Sequence, residues 1–120
     1  MTALSTRNLG LVGESLAVKF LHQKGYKIIE KNFRSKFGEI DIVAQDGDTL
    51  VFIEVKTRWT REYGPPEEAV TPRKIRSIVK TGQYYKLLHP QQPEALRIDV
   101  VTIDFFKNKG EVRLIKNVST

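Results

Sequence analysis

Residues 38–56, GEIDIVAQDGDTLVFIEVK, give the strongest indication of the fold. Residues 46–48 are Asp-Gly-Asp, a typical turn sequence, and a run rich in apolar residues stands on either side. The pattern predicts a β-hairpin with strands over residues 38–45 and 49–57. The pairing of this hairpin can be worked out residue by residue, and the rest of the predicted fold extends outward from it.

Three charged residues, Asp41, Glu54 and Lys56, interrupt the apolar strands of the hairpin. Side chains alternate between the two faces of a strand, so Glu54 and Lys56 share a face. On the other strand, strict alternation places Asp41 on the face opposite Ile40 and Ile42. Charged side chains inside a buried strand either pair with each other or serve chemistry.

The length of the turn sets which residues face each other across the hairpin. A two-residue turn pairs Asp46 with Thr49. Counting back along both strands then places Asp41 directly opposite Glu54, with their Cβ atoms about 4.5–5.5 Å apart. A three-residue loop without a bulge would place the two carboxylates on opposite faces. The interpretation as a site therefore requires one particular register.

Two carboxylates this close repel each other, and the pKa of one would be raised unless a cation lay between them. Mg²⁺ or Mn²⁺ removes the conflict, because carboxylate oxygens are ligands that these ions prefer. Asp41 and Glu54 would bind the metal, and the backbone carbonyl of Val55 could add a ligand. Lys56 would hold a phosphate or stabilise charge that develops on it. The alternative is a solvated strand face on which Asp41 pairs with Lys56.

Composition limits the other kinds of site. The 120 residues contain no cysteine and two histidines that are far apart, so a metal site would be built from carboxylates. The formal net charge of +6 is typical of nucleic-acid binders, although it also fits a basic protein with another role. No apolar run is long enough for a membrane span and no signal-peptide pattern is present. We expect one cytoplasmic domain over residues 1–120.

Helices and strands are predicted around the hairpin from apolar periodicity. Gly25 supplies a left-handed end for the first helix, and Thr71-Pro72 begins the second. The predicted elements are, in order, a helix over residues 5–25, strands over 26–34, 38–45 and 49–57, a mobile loop over 57–70, a helix ending before Pro90, and strands over 97–106 and 111–116. The order predicts an α/β fold in which helices flank a mixed sheet.

This order resembles the α-β-β-β-α-β restriction-endonuclease-like core of the PD-(D/E)xK nuclease superfamily. Asp41 matches its first acidic position, residues 54–56 match its E-x-K element, and Ile40 stands where the superfamily name has proline. The chain is similar, more closely, to the YraN family of small bacterial proteins described as candidate endonucleases. That similarity is carried by the residue groups 13–17, 32–34, 38–41, 51–58, 66–70, 74 and 97–101.

A more distant similarity to archaeal Holliday-junction resolvases extends the site to the first helix. Those enzymes have an acidic residue there, which Glu14 matches at the edge of the apolar face. The resemblance implies that Glu14 assists the metal site directly or through water, whereas the alternative is an exposed or capping glutamate. Together these similarities imply a metal-dependent DNA endonuclease, acting on branched or structured DNA. The alternatives are a nucleic-acid-binding module of the same fold that does not cut, and a scaffold whose basic face meets an acidic protein.

Cations flank the predicted metal site, as phosphate contacts should. The predicted nucleic-acid contacts are Arg34, Lys36, Arg58, Trp59, Arg61, Arg73 and Lys74. Trp59 and Tyr63 could stack on an unpaired base, and the alternative packs Trp59 against the domain or a partner subunit. Arg97 and Asp99 are interpreted as a structural pair. A homodimer is a further expectation, although no patch identifies its interface.

Overall fold

The computed structural model describes residues 6–59, 69–106 and 109–118, with the backbone alone described for 6–9 and 106. Its elements are, in order, α1 (Thr6–Gln23), β1 (Lys27–Ser35), β2 (Gly38–Asp46), β3 (Thr49–Arg58), α2 (Pro72–Leu88), β4 (Ala95–Phe106) and β5 (Lys109–Ile115). The predicted order of helix, three strands, helix and two strands is confirmed, as is the α/β class. No helix within these ranges is long and apolar enough to cross a membrane.

Most boundaries differ from the prediction by one or two residues, and β3 and β5 differ because strand pairing extends further than the sequence pattern. Strand β3 continues through Arg58, since β4 pairs with it to that point, so the first residues of the predicted loop over 57–70 are strand. The part of that loop over residues 60–68 lies outside the described residues. Strand β5 begins at Lys109, two residues before the predicted strand over 111–116, because its first residues pair with the end of β4.

The five strands form one mixed sheet in the order β1-β2-β3-β4-β5. Strands β1, β2 and β3 are successively antiparallel, β3 and β4 are parallel, and β4 and β5 are antiparallel. A parallel pair needs a long crossover connection, and α2 lies in that connection. Its first turn is capped by Thr71, whose Oγ1 accepts a hydrogen bond from the backbone N–H of Lys74 at 3.2 Å.

Each face of the sheet is covered by one helix. Helix α1 buries Ala17 and Leu21 in a cluster on one face. Helix α2 buries Tyr85 in a cluster on the other face, which also contains Phe52. A Cβ at Gly82 would lie 2.5 Å from the Phe52 ring, so glycine is what lets α2 lie this close to the sheet. Burial of apolar side chains at about 2 kcal/mol each fixes both helices against the strands.

The β2–β3 hairpin is closed at its turn and open at its other end. Pairing between the two strands starts at the turn and stops at Ile42 and Ile53. Beyond this point β2 stays paired with β1, and β3 stays paired with β4. The sheet therefore divides, and we call the gap between residues 38–41 of β2 and residues 54–58 of β3 the fork.

Candidate functional site

The register predicted for the hairpin turn is confirmed. Asp46 pairs with Thr49, and Gly47 has a φ of +59°, as a two-residue turn with a left-handed glycine requires. The ladder ends one pair before Asp41 and Glu54 would face each other. The two acidic residues therefore lie where the fork begins, rather than in a regular cross-strand pair.

The side chain of Asp41 takes the place of a backbone carbonyl as the hydrogen-bond acceptor for β3 at this point. Its Oδ2 accepts a hydrogen bond from the backbone N–H of Val55 at 2.8 Å. In a continuous ladder this N–H, which points toward β2, would donate to a backbone carbonyl. The Asp41 carboxylate is thus fixed between the two strands and points from β2 toward β3.

The strict alternation predicted along β2 is wrong at Asp41. Ile42 packs in the cluster on the α1 side of the sheet, whereas Ile40 packs in the cluster on the α2 side. The irregularity lies opposite Asn32 of β1, whose φ of +55° is left-handed. Asparagine adopts this conformation more readily than most residues. The left-handed conformation at Asn32 coincides with the change of face between Ile40 and Ile42 on the paired strand. Asn32 was missed as a site residue, and its only sequence signal is an asparagine within a strand.

An open groove of about 440 Å³ occupies the fork. The predicted site residues that line it are Glu14, Arg34, Asp41, Glu54, Val55, Lys56 and Trp59. Because β2 and β3 have parted, side chains from both faces of β3 reach the same groove. The structure therefore brings together the residues that the motif singled out, together with Asn32 and Glu39.

Close packing of α1 on β3 places Glu14 at the groove. A Cβ at Gly13 would lie 2.4 Å from the Oγ1 of Thr57, so a glycine permits this approach. Glu14 is the next residue, and its Oε1 is buried with no hydrogen-bond partner among the described residues. A carboxylate oxygen in that state is available to a ligand or a water molecule.

Glu54 is largely buried, with 12% of its side chain exposed. Its Oε1 lies 3.9 Å from the Nζ of Lys74 on α2. Its Oε2 is buried and, within the described part of the chain, accepts no hydrogen bond. Burial and the nearby charge of Asp41 raise the pKa of Glu54 from an ordinary 4.5 to about 7, although Lys74 and Lys56 act in the opposite direction. The protein alone therefore leaves this carboxylate poorly neutralised.

Asp41 is also destabilised as an anion. Burial is the largest cause of its raised pKa, and the charges of Glu39 and Glu14 raise it further, while the hydrogen bond from Val55 lowers it. Four acidic residues thus line one groove in a chain whose net charge is +6. A phosphate would be repelled from such a groove unless a cation entered with it.

The oxygen atoms of the fork fit a hard divalent cation. Mg²⁺ commonly binds through one or two carboxylates and keeps several waters, so Asp41, Glu54 and the carbonyl of Val55 would be sufficient. The buried, unpartnered Oε2 of Glu54 is an atom that such an ion would satisfy. No three acidic or histidine side chains in residues 6–59, 69–106 and 109–118 are grouped closely enough to hold an ion together. The role of Glu14, directly on the ion or through a water molecule, stays a prediction.

Two of the predicted nucleic-acid contacts, Arg58 and Trp59, pair with side chains of β4. The guanidinium of Arg58 donates to both oxygens of the buried Asp104 at 2.5 and 2.9 Å. This ion pair gives Arg58 a structural partner, and its contact with a phosphate stays a prediction. Trp59 stacks on Phe105 with ring centroids 4.3 Å apart and planes 5° apart, so the predicted packing against the domain is confirmed. Trp59 is nevertheless 43% exposed and lines the groove. Tyr63 lies outside the described residues.

The structure describes four of the five remaining predicted contacts, and one of these lies at the groove. Arg34 lines it with 75% of its side chain exposed. Lys36 is exposed in the β1–β2 turn, and Arg73 is exposed in the first turn of α2. Lys74 is half-buried beside the Glu54 carboxylate. Arg61 lies outside the described residues.

A second charged cluster, which we call the paired cluster, lies at the turn end of the hairpin. Arg97 donates to Asp46 at 2.8 Å and to both oxygens of Asp99 at 2.9 Å. Asp99 also accepts hydrogen bonds from the Tyr26 hydroxyl at 2.7 Å and from the backbone N–H of Asn117 at 2.9 Å. The hydrogen bond from Arg97 lowers the pKa of Asp46. The interpretation of Arg97 and Asp99 as a structural pair is confirmed.

Comparison with solved structures gives a weak match. The structure of SfsA from Pyrococcus furiosus in complex with Ca²⁺ aligns with a TM-score of 0.44 and 18% sequence identity. The alignment covers 96% of this chain and 64% of that chain.

Comparison of sequences gives a much stronger result. The family described as "Uncharacterised protein family UPF0102" matches residues 13–103. A UPF0102 protein of Geobacter metallireducens is 46% identical over 115 residues, which are 96% of this chain and 94% of that protein. A UPF0102 protein of Syntrophomonas wolfei is 45% identical over 111 residues, which are 92% of this chain and 96% of that protein. The chain therefore belongs to the UPF0102 family, and the similarity to the YraN family is confirmed.

Proposed function

We propose that this protein is a metal-dependent endonuclease that hydrolyses phosphodiester bonds in DNA, acting in the cytoplasm. The observation that carries the proposal is the Oε2 atom of Glu54, which is buried beside Asp41 and accepts no hydrogen bond from any described residue. Burying a carboxylate without a partner is costly, and such groups concentrate at functional sites. The surrounding groove is open and has cations on its rim, so a phosphate can reach it.

The ion in this proposal is Mg²⁺ or Mn²⁺, held by Asp41, Glu54 and the carbonyl of Val55. When bound, it would supply a more acidic water and neutralise charge on the phosphate. Asp41 is oriented for this by the N–H of Val55, and Glu54 is oriented by Lys74. Both carboxylates are therefore fixed before any ligand arrives, which lowers the entropic cost of binding.

Lys56 would act on the phosphate itself. Its exposed side chain lines the groove and also an adjoining pocket that it shares with Glu54 and Lys74. An ammonium group in that position pairs with a phosphate oxygen and stabilises the negative charge that grows in the transition state. Lys74 is a positioning residue in this scheme, because its ammonium group already contacts Glu54.

Glu14 would orient the attacking water. Its Oε1 is buried in the groove lining and lacks a hydrogen-bond donor among the described residues, so it can accept one from water. The close approach of Gly13 to Thr57 fixes the distance between α1 and β3 and thereby the position of this acceptor.

The substrate that we propose is branched or otherwise structured DNA. Arg34 is an exposed cation of the groove lining, and Arg73 is an exposed cation in the first turn of α2; both suit backbone phosphates. Trp59 has one ring face against Phe105 and remains 43% exposed, so it offers a surface on which an unpaired base could stack. Unpaired bases are most accessible at branches and flaps. A homodimer would place two such grooves on two strands.

The alternative is a nucleic-acid-binding module of the same fold that does not cut. One observation favours it, namely that the described acidic residues form no group of three around a common point. In this alternative the cations would bind phosphates and the acidic residues would only limit how deeply DNA enters.

A cleavage assay separates the two functions. Wild-type protein is incubated with flapped, branched and plain duplex DNA, with Mn²⁺, with Mg²⁺ and with a chelator. We expect metal-dependent cleavage that falls at least about a hundredfold in Asp41→Asn and Glu54→Gln, which preserve side-chain size. Glu111→Gln, which removes an exposed charge on β5, is the matched control and should cut normally.

The binding alternative predicts a different pattern. The wild type would cut none of the substrates with either ion, yet it would bind DNA with a steep dependence on salt. That binding would survive Asp41→Ala. Absence of both cleavage and DNA binding at moderate salt would contradict both functions and favour the acidic protein partner.

A further inference from the structure

Two aromatic side chains are exposed together where the β1–β2 turn meets α2. Phe37 is 40% exposed and Tyr84 is 36% exposed, and their ring centroids are 5.7 Å apart at an angle of 60°. Neither belongs to the groove lining. Aromatic residues are usually buried, and a contiguous pair at the surface is typical of a binding site. We call Phe37 and Tyr84 the aromatic shelf.

The turn that carries Phe37 is held firmly against α2. The Oγ of Ser77 donates a hydrogen bond to the carbonyl of Phe37 at 2.9 Å, and the N–H of Phe37 donates to the Oγ of Ser35 at 3.1 Å. Gly38 has a φ of +143°, and a Cβ there would lie 2.4 Å from the Ser77 Oγ. The shelf is therefore preorganised, so that binding to it costs little conformational entropy.

Cations border the aromatic shelf. The Nζ of Lys36 lies 5.3 Å from the centroid of the Phe37 ring. On α2, Arg76 and Lys80 are exposed. Together with Tyr84 they follow one another at intervals of four residues, so they lie on one face of the helix. An aromatic ring beside cations fits a nucleotide, because the ring stacks on the base and the cation pairs with the phosphate. A stacked base would displace the ammonium of Lys36 from the ring and leave it free to contact that phosphate.

The aromatic shelf and the fork lie at the same end of β2, away from the hairpin turn. Phe37 precedes Asp41 by four residues, and Glu39 between them lines the groove. At about 3.3 Å per strand residue, the two sites are separated by at most about 13 Å along β2. Stacked nucleotides are spaced about 3.4 Å apart, so this separation corresponds to roughly four nucleotides.

We propose that Phe37 and Tyr84 form a stacking site for an unpaired base of the same nucleic-acid strand whose phosphate lies in the fork, up to about four nucleotides away. This inference rests on the proposed function, since it requires a nucleic-acid ligand. It adds a second contact that selects substrates with an unpaired base near the bound phosphate.

The test measures binding of labelled flapped DNA by fluorescence anisotropy. All proteins carry Glu54→Gln, which prevents cleavage and removes one negative charge from the groove. We expect Phe37→Ala and Phe37→Leu to weaken binding about tenfold, and Phe37→Trp to preserve it, because stacking requires a ring. Leu96→Ala is the control, since Leu96 is 44% exposed and lies at the other end of the sheet.

A series of DNA ligands with one abasic site each locates the stacked base. When the aromatic shelf is intact, an abasic site at one position of the DNA should weaken binding about tenfold. In Phe37→Ala, the abasic site at that position should cause no further loss of affinity. If DNA binds but Phe37→Leu binds as tightly as the intact shelf, the stacking site is overturned and the proposed function stands. If no DNA binds to any variant, both are overturned.

Discussion

The two ends of the β2–β3 hairpin carry acidic residues in opposite physical states. At the turn end, Asp46 and the neighbouring Asp99 of β4 accept hydrogen bonds from Arg97, and the pKa of Asp46 is lowered. At the fork, the pKa values of Asp41 and Glu54 are raised by burial, and an oxygen of Glu54 lacks a partner among the described residues. The same hairpin thus stabilises charge at one end and destabilises it at the other.

The two ends of the hairpin separate buried carboxylates that stabilise the fold from buried carboxylates that are available to a ligand. In the paired cluster every donor that reaches Asp99 comes from the chain itself, so the cluster is complete without any other molecule. At the fork the strands separate, so the backbone N–H of Val55 donates to Asp41, but the Oε2 of Glu54 has no donor among the described residues. Removing a charge should therefore have opposite consequences for stability at the two ends.

The largest effect is expected in the paired cluster. Asp99→Asn replaces a buried carboxylate that accepts hydrogen bonds from Arg97, Tyr26 and Asn117, and leaves Arg97 without one of its two carboxylate partners. We expect a loss of about 3 kcal/mol in the free energy of unfolding, measured by urea denaturation. Glu111→Gln is the exposed control and should change stability by less than about 0.5 kcal/mol. If Asp99→Asn and Glu111→Gln change the free energy of unfolding equally, the paired cluster does not stabilise the fold.

Glu54→Gln should stabilise the metal-free protein, and only at higher pH. The folded pKa of Glu54, about 7, lies above its ordinary value of 4.5, so the folded state binds this proton more tightly than the unfolded chain does. The contribution of Glu54 is therefore most favourable below about pH 4.5 and is lost as the pH rises through about 7. Above about pH 8 we expect the variant to be more stable by roughly 2 kcal/mol, and the two curves should converge in acid.

The measurement is urea denaturation in a chelator across this pH range. A variant that is less stable than wild type above about pH 8 would show that the Glu54 carboxylate is already satisfied by the protein. Glu111→Gln again serves as the control, and its stability should follow the wild type at every pH.

Gly13→Ala tests how Glu14 is positioned at the fork. The added Cβ would lie 2.4 Å from the Oγ1 of Thr57, so α1 must move or Thr57 must rotate, and we expect a loss of roughly 1–2 kcal/mol. Thr57→Ala removes the clashing atom, so the double variant should recover most of the loss caused by Gly13→Ala. Thermal denaturation of the four proteins gives the coupling energy. Strictly additive losses would contradict the close approach.

The smallest effect is expected at Asn32, which sets the direction of Asp41. Asn32→Ala should cost about 1 kcal/mol because alanine resists the left-handed conformation, whereas Asn32→Gly should be close to neutral. If the left-handed residue aims Asp41 into the fork, metal affinity should fall in the alanine variant and persist in the glycine variant. Equal metal affinity in both variants would remove this role from Asn32.

The sequence was sufficient for the order of elements and for the turn register. The Asp-Gly-Asp turn fixed the pairing of Asp46 with Thr49, and simple counting then brought Asp41 and Glu54 to the same place. The fork could not be predicted, because it depends on where β2 and β3 separate, and alternation assumes that they do not. For the same reason the sequence did not reveal that a left-handed Asn32 reverses the faces around Asp41.

The roles of the cations were harder to predict than the positions of the carboxylates. Arg58 follows the E-V-K motif directly and looks like a phosphate contact, but its partner Asp104 is 46 residues away in sequence. Only the parallel pairing of β3 with β4 brings the two together. Long-range pairing of this kind leaves no local signal in the chain.

Calorimetric titration of the metal-free protein with Mn²⁺ tests whether the buried carboxylates of Asp41 and Glu54 at the fork hold a divalent ion. We expect Mn²⁺ binding that is weakened at least about tenfold by Asp41→Asn and by Glu54→Gln, and that is unchanged by Glu111→Gln. Absence of Mn²⁺ binding to the wild type, or equal binding by wild type and Glu54→Gln, would show that the fork is not a metal site.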